Sequence, residues 1–440
     1  MSVLQKAIPK HNANSAAINY LWHYYKGDQP ILRRVKEVRP EVCNRVVENH
    51  ASEIVAFFSG YLLGEPCSYV RRGANASDTD TLNEIMFSED KASADKELAT
   101  WLYVCGVAYR MCLPDAVEEQ DEAPFEIETC DPRNTFVVRS PGFGKPVLIG
   151  VQDIIQPDLS HLYCGYTATH YFETNGTTVK TWKPHRLGCV PIFEYQANTA
   201  RMGAFEPVLP MLDAINMVQS NRIDGIEQFI QSLAVAVNCQ FEEGTTANTI
   251  REAGMIVLKS TGENKADFKI LSEQLNQKET QTLVANMVDT VKTIVGMPNN
   301  TSGLGGGSSG NVGSVIAWQG WDLCEPRVKE TELLFKRTEK QFLRLVFKIL
   351  LETLGIDMKL SDVDIKFSRR NIENLLVKCQ SLQQLLAAGI APEVAIATVG
   401  LWNDPMNIAA LSAEGLKQWE KKEPAVIETA VVDKGDGAIA

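Results

Sequence analysis

The chain has 440 residues, 45% of them apolar and 22% charged, with 43 Lys and Arg against 55 Asp and Glu, for a formal net charge of −12. Such a composition supports a large core in roughly two to four structural units and excludes a disordered tail or a mini-protein. It also excludes a tight nucleic-acid clamp, because neutralising phosphates takes a basic surplus and the sign here is the reverse.

The start, MSVLQKAIPKHNANS, has no apolar run after its first lysine and does not read as a secretory signal. The longest stretch without a charge, Thr293 to Trp321, is rich in Gly, Ser and Asn, so it reads as a loop rather than a membrane span. The 10 cysteines include no CxxC pair and are expected to be reduced, mostly buried thiols of a cytoplasmic protein.

In chain order, apolar spacing predicts a helix over Pro40–Gly64 and a second over Glu84–Met111. Short β-branched and aromatic segments separated by Gly, Pro or Asn then predict an antiparallel sheet over about residues 125–197. The helical period returns at Val208, Leu212, Ile215, Val218, Ile226, Phe229, Leu233 and Val237. An insertion over Asn238–Gln274 holds two strand candidates, MIVLK and ADFKIL, before another helix over Gln277–Val295. The segment PNNTSGLGGGSSGNVG, residues 298–313, carries no charge and precedes a long helix over roughly Asp322–Leu354. Short helices are expected over Asn371–Gly389, Pro392–Val399 and Met406–Glu420, with a loose tail after Lys422.

The glycine tract invites enzyme readings that its context does not support. Gly305 to Gly310 satisfies G-x-G-x-x-G, but a helix rather than a strand precedes it. Asn311 stands where a Walker loop needs lysine, and the Gly306-x-Ser308-x-Gly310 match lacks the strand-turn-helix of a nucleophile elbow. None of the 6 histidines forms an i, i+4 ligand pair, so no metal, cofactor or catalytic residue is assigned. Asp115–Asp131 contains eight carboxylates and no basic residue, and lacks the calcium-loop pattern; it reads as a solvated acidic loop.

What remains is architectural: helix, small strand-bearing insertion, helix, uncharged segment, long helix. Two helices of ~20 to 30 residues span ~30 to 45 Å, forming a stem with the insertion at its tip. Such a stem buries itself either within one chain or against neighbouring copies in a ring.

Several segments resemble a known family, the portal proteins of tailed double-stranded DNA bacteriophages typified by phage SPP1. They are YYKGDQPILRR with NRVVENHASEIVAFFSGYLLGEP, then HRLGCVPIFEYQAN, FEPVLPMLDAINMVQSNRIDGIEQF and SSGNVGSVIAWQGWDLCEPRVKETELLFKRTEKQFLRLV. Their order and spacing agree with the family from about residue 15 to 420. One departure is Val315-Ile316-Ala317-Trp318-Gln319, where the family often has Ala-Leu-Lys.

The resemblance implies an α+β, mainly α, portal fold assembled as a ring. Residues 1–205 would be the wing, 206–237 a stem helix, 238–274 the clip, 275–297 the second stem helix and 298–313 the tunnel loop. Residues 314–370 would be the long helix and return to the wing, 371–422 the crown and 423–440 a flexible tail. Asn299, Asn300, Ser302, Leu304, Ser308, Ser309 and Asn311 would face DNA from the tunnel loop. Glu242, Glu243, Arg251, Glu252, Lys259 and Lys265 of the clip would meet the terminase large subunit and the head-tail adaptor. The implied partners also include major capsid and scaffolding proteins and further copies of the chain, twelve being the expected number, with no membrane. The implied location is the portal vertex of the virion, after assembly in the host cytoplasm. An uncharged loop suits a conduit, since a polyanion must slide past without counterion-releasing contacts. The alternative from a different class is a cytoplasmic enzyme that uses the glycine-rich loop for a phosphate-bearing ligand.

Overall fold

The computed structural model describes residues 2–37, 40–72, 79–116, 122–230, 233–237, 239–240, 259–260, 267–271, 277–298, 321–368, 375–402 and 405–412. In chain order the elements are α1 (Ser2–Tyr25), α2 (His50–Leu63), β1 (Ser68–Arg71), α3 (Thr79–Ser88), α4 (Lys91–Cys105), β2 (Val107–Pro114) and β3 (Phe125–Cys130). A run of strands follows: β4 (Thr135–Arg139), β5 (Val147–Ile155), β6 (His161–Tyr166), β7 (His170–Thr174), β8 (Val179–Pro184) and β9 (Ile192–Gln196). Next come α5 (Leu209–Ile230), β10 (Leu233–Val237), β11 (Cys239–Gln240), β12 (Lys259–Ser260), β13 (Asp267–Leu271) and α6 (Gln277–Val295). The last are α7 (Trp321–Thr353), β14 (Val363–Lys366), α8 (Leu375–Ala387), α9 (Pro392–Val399) and α10 (Pro405–Leu411).

The chain forms two compact units, one of Met1–Gly60, Glu97–Arg110 and Thr129–Phe335, the other of Tyr61–Lys96, Met111–Glu128 and Lys336–Ala440. In the first unit β4 to β8 make an antiparallel meander in sequence order. Residues Phe136, Val151, Gly165 and Phe172 lie opposite one another across four of its strands. Side chains alternate between the two faces of a strand, so this row shares one face, which α1 covers with Leu4, Ala7 and Ile8. Each such buried side chain stabilises the fold by about 1.5–3 kcal/mol.

In the second unit β1 pairs antiparallel with β14. Beside them lies a buried charged cluster. Lys91 Nζ sits 2.6 Å from Asp95 Oδ2 and 3.0 Å from Glu339 Oε1. Tyr69 donates its hydroxyl to Glu339 Oε1 at 2.7 Å, and the Cys67 thiol reaches Asp95 at 3.2 Å. Burial, followed by the nearby Asp95 carboxylate, pushes the Cys67 thiol far above its usual range, so it stays protonated.

Several boundaries differ from the sequence expectation. The helix expected over Pro40–Gly64 starts only at His50, because the N–H groups before it go to side chains of α5. The helix expected over Glu84–Met111 is two helices and a strand. Asp90 takes a left-handed φ of 48° between α3 and α4, and Gly106, at φ +78°, ends α4 where an added Cβ would lie 2.4 Å from the Arg201 backbone. The sheet therefore begins near Val107 rather than 125. The helix expected to run through Val237 stops at Ile230, and Leu233–Val237 is a strand paired with Asp267–Leu271. Its Leu-Ala-Val-Ala-Val sequence suits a pleated ladder, and the long-range pairing prevails over helical spacing. By contrast, α6 has the expected bounds, and α7 lies within one residue of them at each end.

Candidate channel and subunit-interface elements

Helix α5 is held by a segment that runs antiparallel to it. Asn44, Val46 and Glu48 donate their backbone N–H groups to Asp224 Oδ1 at 2.7 Å, Ser220 Oγ at 3.0 Å and Asn216 Oδ1 at 2.8 Å. Two extended residues advance about 6.6 Å and four helical residues about 6.0 Å, so every second strap residue meets every fourth helix residue. Arg34 and Lys36 reach the other Asp224 oxygen at 3.1 and 2.9 Å. Burial opposes ionisation of Asp224, but the Asn44 N–H, the Lys36 ammonium and the Asn44 amide together hold its carboxyl below the usual range. Sequence reading missed this ladder, although its sign is visible as polar residues at i, i+4 and i+8 inside an apolar helix.

Helix α5 also carries an apolar stripe whose exposure changes along its length. Leu212 and Ile215 are buried at 1% and 0%, whereas Ile223 and Ile226 on the same face are 42% and 45% exposed. Helix α6 packs against α5. Its outward residues Gln281, Thr282, Asn286 and Thr293 carry no charge, and Thr282 and Thr293 bond their hydroxyls back to carbonyls one turn earlier. No charge occurs between Glu279 and Asp289, but Asp289 itself stands on this polar face, one turn before Thr293, where the uncharged Thr293–Trp321 stretch begins.

The end of α6 is fixed. Met297 N–H bonds Lys292 O and Gly296 N–H bonds Thr293 O, the paired bonds of a Schellman cap, with Gly296 at φ +75°. Arg327 of α7 donates to Ile294 O. Further along α7, Thr331 Oγ1 donates to Ala197 O at 2.8 Å, and Lys292 pairs with Glu53 of α2 at 3.5 Å. Burial disfavours the Glu53 charge, but bonds from His50 and Lys292 outweigh it and lower its pKa.

The tunnel-loop residues Asn299, Asn300, Ser302, Leu304, Ser308, Ser309 and Asn311 lie outside the described residues, as do Glu242, Glu243, Arg251, Glu252 and Lys265. Lys259 is on β12, with its backbone opposite Gln240. Of the two strand candidates in the insertion, ADFKIL matches β13, and MIVLK is described only at Lys259. Among the described residues no group of three or more His, Cys, Asp or Glu could hold a metal ion, and no helix is long and apolar enough to cross a membrane.

No curated protein matches the sequence. A similar solved chain is that of "Neck of empty GTA particle computed with C6 symmetry", at 11% identity over 80% of this chain and 90% of that one, with a TM-score of 0.42. The family model described as "Phage portal protein, SPP1 Gp6-like" matches residues 4–428. That family is structural rather than enzymatic, which sets aside the phosphate-ligand enzyme. A match over nearly the whole length establishes the family: this chain belongs to the SPP1 Gp6-like phage portal proteins.

Proposed function

We propose that the chain forms a ring at one vertex of a phage capsid, through which double-stranded DNA enters during packaging and leaves during ejection. The family match over residues 4–428 carries this reading. It is supported by the segment 298–313, which carries no charge and serves as the tunnel loop. Neutral amide and hydroxyl groups make exchangeable contacts to phosphates and release few counterions, so DNA is touched without being held. Residues 1–205 form the wing, the paired strands β10–β13 belong to the clip, and residues 371–422 form the crown. The clip docks the terminase large subunit and later the head-tail adaptor, and ATP hydrolysis belongs to the terminase. Ile223 and Ile226 face a neighbouring copy, which supplies the burial that one chain lacks. The ring has twelve copies in the virion.

Electron microscopy of the purified full-length protein tests this reading. Rings with a central hole are the expected result; a monomer at every concentration would overturn it.

A further inference from the structure

The turn between β5 and β6 carries a leucine where its backbone favours glycine. Leu159 N–H bonds Gln156 O at 2.8 Å and Gln156 N–H bonds Ser160 O at 2.9 Å, with Pro157 and Asp158 between them. This is a type I turn followed by a left-handed residue, a hairpin connection whose last position is ordinarily glycine. Leu159 stands there at φ +63°, and its side chain is 81% exposed. Ile155, at the end of β5, is 54% exposed. The isolated chain therefore bears two costs at one residue: a backbone conformation unfavourable to any residue with a Cβ, and an apolar group left in water. Glycine in its place would remove both.

The same unit holds an apolar pocket of about 280 Å³. Phe58, Val295 and Val328 form buried walls, and Ala200, Arg327 and Glu330 are exposed lining residues. Roughly 150 Å³ of apolar cavity admits a benzene-sized group, so a leucine side chain fits. Tip and pocket lie toward opposite ends of α1. Gln5 Nε2 bonds Gly176 O at 3.2 Å in the turn between β7 and β8, at the same end of the meander as Leu159. Tyr24 stacks on Phe205 at 5.8 Å, a few residues after Ala200. At 1.5 Å per residue, Gln5 and Tyr24 stand about 28 Å apart along the helix, so the tip does not reach the pocket of its own chain.

We infer that the pocket of one copy receives the Ile155–Leu159 tip of a second copy, with Leu159 as the buried anchor. This rests on the ring reading above. Tip and pocket are different surfaces of the same chain, so the contact is head-to-tail, the kind that repeats around a ring and closes it. Burial against the partner offsets the solvation cost that one chain bears alone. Charge orients the entry. Bonds from the Ser160 hydroxyl at 2.6 Å and the Ser160 N–H at 3.0 Å hold the Asp158 carboxyl below its usual range. Arg327 offers that carboxylate a counter-charge and Glu330, three residues along α7, repels it, so the tip enters with Asp158 toward Arg327.

The test is ring formation by the full-length protein, read by sedimentation velocity across a concentration series, with melting curves on the same preparations. Leu159→Gly should raise the concentration needed for rings about tenfold, while the dissociated chain melts no lower than wild type. Leu159→Met keeps an apolar side chain of similar size and should stay within about twofold of wild type. Ala200→Phe fills the pocket from the other side of the contact and should match Leu159→Gly. Wild-type rings with either Leu159→Gly or Ala200→Phe assembling equally well would overturn this contact alone. So would an Ala200→Phe that lowers the melting of the dissociated chain and leaves assembly unchanged, which would assign the pocket to packing within one chain. A wild type that forms no ring would overturn the ring reading and this contact with it.

Discussion

Asp224 accepts two bonds from Asn44 on one carboxylate oxygen, from the backbone N–H at 2.7 Å and from the side-chain amide at 2.9 Å. Lys36 meets the other oxygen at 2.9 Å. Asp224→Ala therefore removes the partner of several groups at once. It should cost about 2–4 kcal/mol, measured by denaturant unfolding, because a buried donor left without its acceptor loses its full solvation.

The same residue predicts a pH dependence. Its folded pKa is lowered, so its contribution is fully present above the unfolded carboxylate value of about 3.9 and is lost as pH falls through the folded value. The stability gap between wild type and Asp224→Asn should be constant from pH 7 to about 5 and shrink below about 4. A gap that widens in acid would contradict this.

Lys91→Met should be more damaging than its size suggests. It removes the ammonium that both Asp95 and Glu339 contact in a buried site, for an expected loss of about 3–5 kcal/mol. Replacing all three with apolar residues of similar volume should recover most of the loss, since charge burial rather than lost packing is the cause. Thermal melts of the single and triple variants distinguish the two causes.

Ile223→Glu with Ile226→Glu should leave the isolated chain's melting within about 0.5 kcal/mol of wild type, as both side chains are substantially exposed there. Ring formation should fall sharply, because the charges would enter an apolar contact. Light scattering and melting curves on one preparation provide both readouts.

Asn286→Lys on α6 should slow packaging in the same way as Asn300→Lys or Asn311→Lys in the tunnel loop. Each added cation on a channel wall steepens the salt dependence by about one counterion, so the defect should be larger at low salt. Equal packaging rates at both salt levels would remove α6 from the channel wall.

Gly296→Ala should loosen the junction between α6 and the uncharged segment. The residue stands at φ +75°, and an added Cβ would lie 2.8 Å from Arg327 Cδ. A loss of about 1–2 kcal/mol is expected from the backbone conformation alone. Lower melting with slower packaging is the expected pair of outcomes.

The long helices were legible because their signals are local. The spacing of apolar residues gave α6 its observed bounds and located α7 to within one residue at each end. Where long-range partners decide, local reading went wrong. Leu233–Val237 continues a helical spacing but is claimed by Asp267–Leu271, and Val107–Pro114 looks like more of α4 until Gly106 turns the chain. Helix α1 was not anticipated; it contains Pro9, and its buried positions Leu4, His11, Leu21 and Tyr24 mix apolar and polar types. The family was legible from whole segments such as Phe205–Phe229. The role of Asp224 within that segment was not, because its partners lie about 180 residues away.

The match between strap and helix spacing along 44–48 and 216–224 has a mechanical consequence. One residue inserted in either partner would shift every later donor away from its acceptor together, so the three bonds behave as the teeth of a single rack. Length variation is therefore forbidden along these stretches, and the strap should detach all at once rather than fray from one end.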